Sequence, residues 1–224
     1  MVTSGSHTSR LRIAFAGATG AVGQHLAQRL RSHPDQVAVW AWQRAGAEPP
    51  DGNWHTLAFA DGALQVPVDA FVSALGTTLK QAGSKAAFRA IDVDAVLARA
   101  AEARAQGART AVVVSAVGAS KSAASFYLRC KAEMEAGILA LEFEHVHVMR
   151  PSLLLTPRHP SRPAEAVGQA VAPLMAPVLR GRFVYYRPVS AVAVAAEMWA
   201  CLQRRTPERL VHHFDGEGWK AAPL

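Results

Sequence analysis

The chain has 224 residues, 50% of them hydrophobic and 18% charged, which is enough apolar material for one substantial core without disulfides or a metal. Its net charge of +7 comes from Lys and Arg scattered along the chain, with no basic cluster of the kind that grips nucleic acid. No apolar run reaches the roughly 18 residues of a membrane span, so neither nucleic acid nor membrane is an expected partner.

Met1 to Arg10 is polar and lacks the apolar stretch of a secretory signal, so residues 1–10 are expected to be a disordered lead-in to a single domain over 11–224. Leu11 to Ala16 is a short apolar run closed by Gly17, and Val22, Leu26 and Leu30 recur four apart: strand, turn, helix. Val37 to Trp42 is a second strand, and Trp54 to Phe59 a weaker third between the turns Pro49-Pro50-Asp51-Gly52 and Asp61-Gly62. Asp69 to Leu75 reads as a strand, Ser84 to Gln106 as one long helix stopped by Gly107, and Thr110 to Ser115 as a strand. A helix over Ala123 to Leu141, a strand over His145 to Met149, helices near Ala164 to Leu179 and Ala191 to Gln203, and a strand over Leu210 to Phe214 complete the chain. Strands alternating with helices require crossover connections, so the expected fold is α/β, a doubly wound parallel Rossmann sheet flanked by helices. Residues 151–224 are expected to contribute a small C-terminal cap on the substrate side.

The turn Gly17-Ala18-Thr19-Gly20-Ala21-Val22-Gly23 follows a predicted strand and opens a predicted helix, the context that gives a glycine pattern its meaning. In such a turn one glycine permits the bend, one lets backbone approach a pyrophosphate and one lets helix pack on strand. The free N–H groups of the helix start then face the phosphates. A carboxylate about 20 residues further on would bind the ribose 2′-OH of NAD. Trp42-Gln43-Arg44 stands there instead, and a guanidinium suits a 2′-phosphate, so NADP(H) is expected over NAD(H).

Ser115 ends the strand Val112-Val113-Val114, at the sheet edge where ligands bind, and Tyr127 and Lys131 follow four apart on one helix face. A carbonyl that receives hydride also needs a proton, which a tyrosine can give if an ammonium stabilises the phenolate. Lys131 is thus expected to lower the Tyr127 pKa and bind the ribose, and Ser115 to orient the substrate oxygen as a donor.

These residues resemble the atypical branch of the short-chain dehydrogenase/reductase superfamily. Leu75-Gly76-Thr77-Thr78, Lys80-Gln81-Ala82-Gly83, Ser115 to Ala119, Phe126 to Lys131 and Arg150-Pro151-Ser152-Leu153-Leu154 further resemble the HIV Tat-interacting protein oxidoreductase-like family. The resemblance implies NADP(H) with Gly17, Thr19, Gly20, Ala21, Val22 and Gly23 at the phosphates and Arg44 at the 2′-phosphate. It also implies Leu75, Gly76 and Thr77 along the adenine-to-ribose path, Pro151, Leu153 and Leu154 at the nicotinamide face, and Lys131 in contact with the cofactor. No asparagine can be placed for the proton relay of some superfamily members. The expected activity is an NADP(H)-dependent oxidoreductase acting on a small carbonyl or hydroxyl substrate, with Ser115, Tyr127 and Lys131 catalytic. The alternative is an NADP(H)-binding, redox-sensing regulatory protein with little turnover. A homodimer is allowed.

His145 and His147 share a strand face but lack a third ligand, and His212 and His213 face opposite sides, so no metal is expected. Cys130 and Cys201 read as unpaired core cysteines, which fits a reducing compartment, and the cytoplasm is the expected address. Ser161-Arg162-Pro163 resembles a family segment that could meet a substrate anion.

Overall fold

The computed structural model describes residues 10–44, 52–155, 181–204 and 206–224. The predicted helix near Ala164 to Leu179 and the Ser161-Arg162-Pro163 segment lie outside them, as does most of the Pro49-Pro50-Asp51-Gly52 turn.

Strand β1 (Leu11–Ala16) leads through the glycine turn into helix α1 (Gly23–Arg31). Strands β2 (Val37–Gln43), β3 (Trp54–Ala58) and β4 (Ala70–Ser73) follow, each close to its expected position. After two short helices, α2 (Leu79–Ala82) and α3 (Lys85–Arg89), comes a π-helical stretch over Ala90–Ala95 that runs into α4 (Val96–Ala105). Next are β5 (Thr110–Val114), α5 (Phe126–Ala140), β6 (His145–Met149) and the two-residue strands β7 (Leu154–Leu155) and β8 (Val189–Ser190). Helix α6 (Ala191–Leu202) and strands β9 (Arg209–Phe214) and β10 (Trp219–Pro223) finish the chain.

The main sheet has eight strands in the order β10-β9-β6-β5-β4-β1-β2-β3. All neighbours are parallel except β10 on β9, so the core follows the doubly wound Rossmann order expected from the sequence. Alternate residues of each strand feed opposite faces. Ile13 and Phe15 join α1 and α6 in one apolar cluster, while Ala14 and Ala16 join α4 and α5 in the other. Because β1 lies between β2 and β4, the connections leave its two sides in opposite directions. The crevice above its carboxyl end is therefore the switch point at which such sheets bind ligands.

Two differences from the sequence reading stand out. The helix expected to run unbroken over Ser84 to Gln106 changes to π geometry over Ala90–Ala95. That change turns Asp92, fully buried, into the protein. A wider turn of this kind recurs at functional sites because it redirects one side chain without ending the helix. The tail also does more than cap: β9 and β10 extend the main sheet, and α6 packs on it beside α1. β10 escaped prediction because Trp219-Lys220-Ala221-Ala222-Pro223 has no β-branched residue or alternation, and its pairing with β9 is what makes it a strand.

Candidate active site

Parallel strands in register carry their carboxyl ends to one edge: Ala16 pairs with Ser73, Ser73 with Val113, and Val114 with Met149. The glycine turn, the Leu75 loop, Ser115 and Pro151 therefore line one side of the sheet. Val117 N donates to Pro151 O at 2.9 Å and ties the loops after β5 and β6 together.

Gly17 has φ +90, and a Cβ there would lie 2.4 Å from Leu75 N, so the turn and the Leu75 loop pack backbone against backbone. A Cβ on Gly23 would lie 1.9 Å from Gly17 O. Gly20 is different: a Cβ there would make only ordinary contacts, 3.4 Å to Gly17 O and 3.5 Å to Ala74 O, so the fold itself does not require a glycine at the point where backbone must approach a ligand. Val22, the residue before α1, offers no side-chain cap to the first helical N–H groups. Thr19 is exposed and Ala21 half-buried, whereas the Val22 side chain is buried in the core and can meet a ligand only through its main chain. This cradle fits a dinucleotide pyrophosphate. Arg44 is exposed at the end of β2, Gly76 is exposed, Thr77 and Leu154 are half-buried, and Leu153 projects outward at 57% exposure.

Helix α5 presents Tyr127, Lys131 and Glu135 at four-residue intervals on one face. Lys131 Nζ lies 5.9 Å from the Tyr127 ring centre, and the ring packs edge-on against Phe88. The Lys131 ammonium is buried and paired at 2.7 Å with the carboxylate of Asp92. The other Asp92 oxygen accepts from Thr77 N at 2.8 Å, so Asp92 joins α5 to the Leu75-Gly76-Thr77 loop. Gly76 sits on top of this pair: a Cβ there would be 3.4 Å from Asp92 Oδ1 and 3.7 Å from Lys131 Nζ.

Two expectations are corrected here. The Tyr127 hydroxyl is not acidified; its pKa is pushed up to about 12, first by burial and then by the negative charge of Asp92. Lys131 does not bring it down because Asp92 neutralises the ammonium at closer range. Nor is Ser115 a free donor. Its Oγ–H is given to Glu135, and a hydroxyl has one hydrogen. Glu135 is in turn clamped by Arg150, Nε at 3.0 Å and Nη2 at 2.6 Å, in a bidentate pair that is largely buried. Sequence reasoning missed Asp92, Glu135 and the partner role of Arg150. The one available signal was Glu135, two helical turns beyond Tyr127 on the Lys131 face.

No protein-family model matches the chain. Among solved structures it is similar to MoeE5 in complex with UDP-glucose and NAD, with TM-score 0.63, 17% identity, and coverage of 94% of this chain and 78% of that one. It is also similar to an oxidoreductase of the short-chain dehydrogenase/reductase family from Burkholderia thailandensis, with TM-score 0.60, 20% identity, and coverage of 88% and 86%. The fold is thus of the Rossmann type expected from the motifs, while the likeness to the HIV Tat-interacting family stays a resemblance. Among curated proteins, the chain is 34% identical over 172 residues to "Protein fmp52, mitochondrial" of Emericella nidulans, covering 71% of this chain and 74% of the relative. Relatives from Eremothecium gossypii and Candida albicans are also named mitochondrial, which overturns the expected cytoplasmic address. Unpaired cysteines fit any reducing compartment and do not single out the cytoplasm. By its identity to these proteins and the length it shares with them, the chain belongs to the Fmp52 family.

Proposed function

We propose that the chain is a nicotinamide-nucleotide-dependent oxidoreductase acting on a small carbonyl or hydroxyl compound, with NADP(H) preferred. The observation that carries this reading is the placing of Tyr127 and the buried Lys131–Asp92 pair at the same sheet edge as the glycine cradle. The nicotinamide, when bound, supplies or accepts the hydride. The chain's own work is to hold the diphosphate on the amides of 17–23, to exclude water around Phe88 and Tyr127, and to move one proton at the Tyr127 hydroxyl. At neutral pH that hydroxyl is protonated, as carbonyl reduction needs. Glu135 and Arg150 fix the Ser115 oxygen as an acceptor that can hold a hydroxyl in place.

Tyr127→Phe is expected to keep NADPH affinity within about threefold of the parent and to cut NADPH oxidation by roughly 10²–10⁴-fold. Fluorescence titration and an oxidation assay across aldehydes, ketones and quinones measure the two quantities. If no compound supports oxidation by the parent protein while NADPH binds tightly, the enzyme reading fails.

Arg44 tests the cofactor preference separately. Arg44→Ala should weaken NADPH by about tenfold, the worth of roughly one charge-assisted contact, and leave NADH unchanged. Equal losses for both nucleotides would rule out a 2′-phosphate contact.

A second reading, a nucleotide-sensing regulatory protein, is favoured by one specific feature: the acid is raised to about 12 and its neighbouring cation is already paired. In that case NADPH and NADP+ would bind with different affinities and Tyr127→Phe would leave both unchanged.

A further inference from the structure

The sequence offers the pair His145 and His147 no third ligand; the fold leaves His145 aside and brings two other groups to His147. β6 turns His147 to the sheet face covered by α1 and α6, and β9, parallel beside it, turns His212 to the same face. Cys201, at the end of α6, closes over both. All three are 0% exposed.

The separations suit a single ion. His147 Nδ1 lies 3.1 Å from His212 Nε2, and Cys201 Sγ lies 3.7 Å from the same nitrogen. One ligand atom from each residue falls within 4.8 Å of the others. A tetrahedral ion at about 2.0–2.1 Å from nitrogen and about 2.3 Å from sulfur spaces its ligands roughly 3.3 Å (N to N) and 3.6 Å (N to S) apart. The two separations at His212 Nε2 match these spacings to within about 0.2 Å, and the third, between His147 and Cys201, is no longer than 4.8 Å.

The hydrogen-bond accounting gives an independent reason. His212 Nδ1 is 3.1 Å from Glu197 Oε1, so it carries a proton and leaves Nε2 as a lone pair. His147 Nδ1 must then donate to that lone pair, which strips His147 Nε2 of its own hydrogen. That nitrogen is buried with no hydrogen-bond partner, and the group facing it, 3.7 Å away, is the carboxylate of Glu208, another acceptor. A cation at the centre removes the conflict. Both near nitrogens become ligands, and each far nitrogen carries its proton toward a glutamate, the arrangement that orients metal-bound histidines.

We propose that His147, Cys201 and His212 bind one divalent transition-metal ion of the zinc class, with Glu197 and Glu208 orienting the imidazoles. Two nitrogens and a sulfur select such an ion over magnesium or calcium. Binding exchanges the Cys201 thiol proton, which leaves to solvent, for the metal–sulfur bond. The ion ties α6 to β6 and β9 on the sheet face opposite α5 and Tyr127. The site is therefore independent of the oxidoreductase reading.

The test uses the full chain, stripped with a chelator under reducing conditions and titrated with Co2+ and then Zn2+. The expected result is one equivalent of Co2+ with a thiolate-to-cobalt charge-transfer band, displaced by Zn2+. Cys201→Ser should abolish the band and weaken Zn2+ by more than about 100-fold, and Glu197→Gln should weaken Zn2+ by roughly 10–100-fold. Cys130→Ser, the other of the two cysteines, should change neither. Should Cys201→Ser fail to fold by circular dichroism, retention of the band in Cys130→Ser still assigns the sulfur. Absence of stoichiometric Co2+ or Zn2+ binding, or an unchanged cobalt spectrum in folded Cys201→Ser, overturns the proposal and leaves a histidine pair sharing a proton.

Discussion

Gly23→Ala and Gly17→Ala are expected to lower the unfolding midpoint by roughly 6–12 °C and to abolish dinucleotide binding, whereas Gly20→Ala loses binding alone. The reason lies in three different surroundings. A methyl group on Gly23 would sit 1.9 Å from Gly17 O, and one on Gly17 would sit 2.4 Å from Leu75 N at φ +90. Backbone must give way in both cases, at a cost of about 3 kcal/mol, and a domain of this size loses about 2–4 °C per kcal/mol. On Gly20 the same methyl meets nothing closer than 3.4 Å. The fold tolerates it, and the space it fills is the approach of a diphosphate to main-chain amides. Thermal melts with and without NADPH separate the three variants. A Gly20→Ala protein that binds NADPH as tightly as the parent would remove the pyrophosphate from this turn.

Asp92→Ala should be the most damaging single change outside the glycine turn, at about 3–5 kcal/mol, because it leaves the buried Lys131 ammonium without its counter-ion. The loss comes from stranding one charge and not from the net worth of the pair. Replacing both partners, Asp92→Leu with Lys131→Met, is therefore expected to restore most of the stability. Denaturant unfolding of the two singles and the double decides this, and a double variant as unstable as Asp92→Ala would contradict it.

Asp92→Asn isolates the electrostatic part. It removes the second cause of the raised Tyr127 pKa while burial remains, so the phenol should titrate below about 12. Phenolate absorbance, read against Tyr127→Phe to subtract Tyr185 and Tyr186, measures the shift. The sign also bears on activity. With its negative neighbour gone, Tyr127 becomes the stronger acid and Lys131 is free to act on it, so the pH at which carbonyl reduction begins to fall should move down. An unmoved titration would mean that Asp92 does not act on Tyr127.

The amino-acid sequence by itself determined the alternation of strands and helices, the glycine turn and the Tyr127/Lys131 spacing. Each of these is written in residues close along the chain: a periodicity of two or four, or three glycines in seven positions. Only the tertiary structure decided that Asp92 meets Lys131, that Glu135 accepts the Ser115 hydrogen bond, that β10 is a strand, and that His147, Cys201 and His212 converge. In each case the partners come from separate elements, and their meeting depends on strand order, on the π-helical turn at Ala90–Ala95 and on the face each strand shows to α6. Local propensity carries no record of such contacts, because burial and charge neutralisation act between side chains that become neighbours only once the sheet has formed.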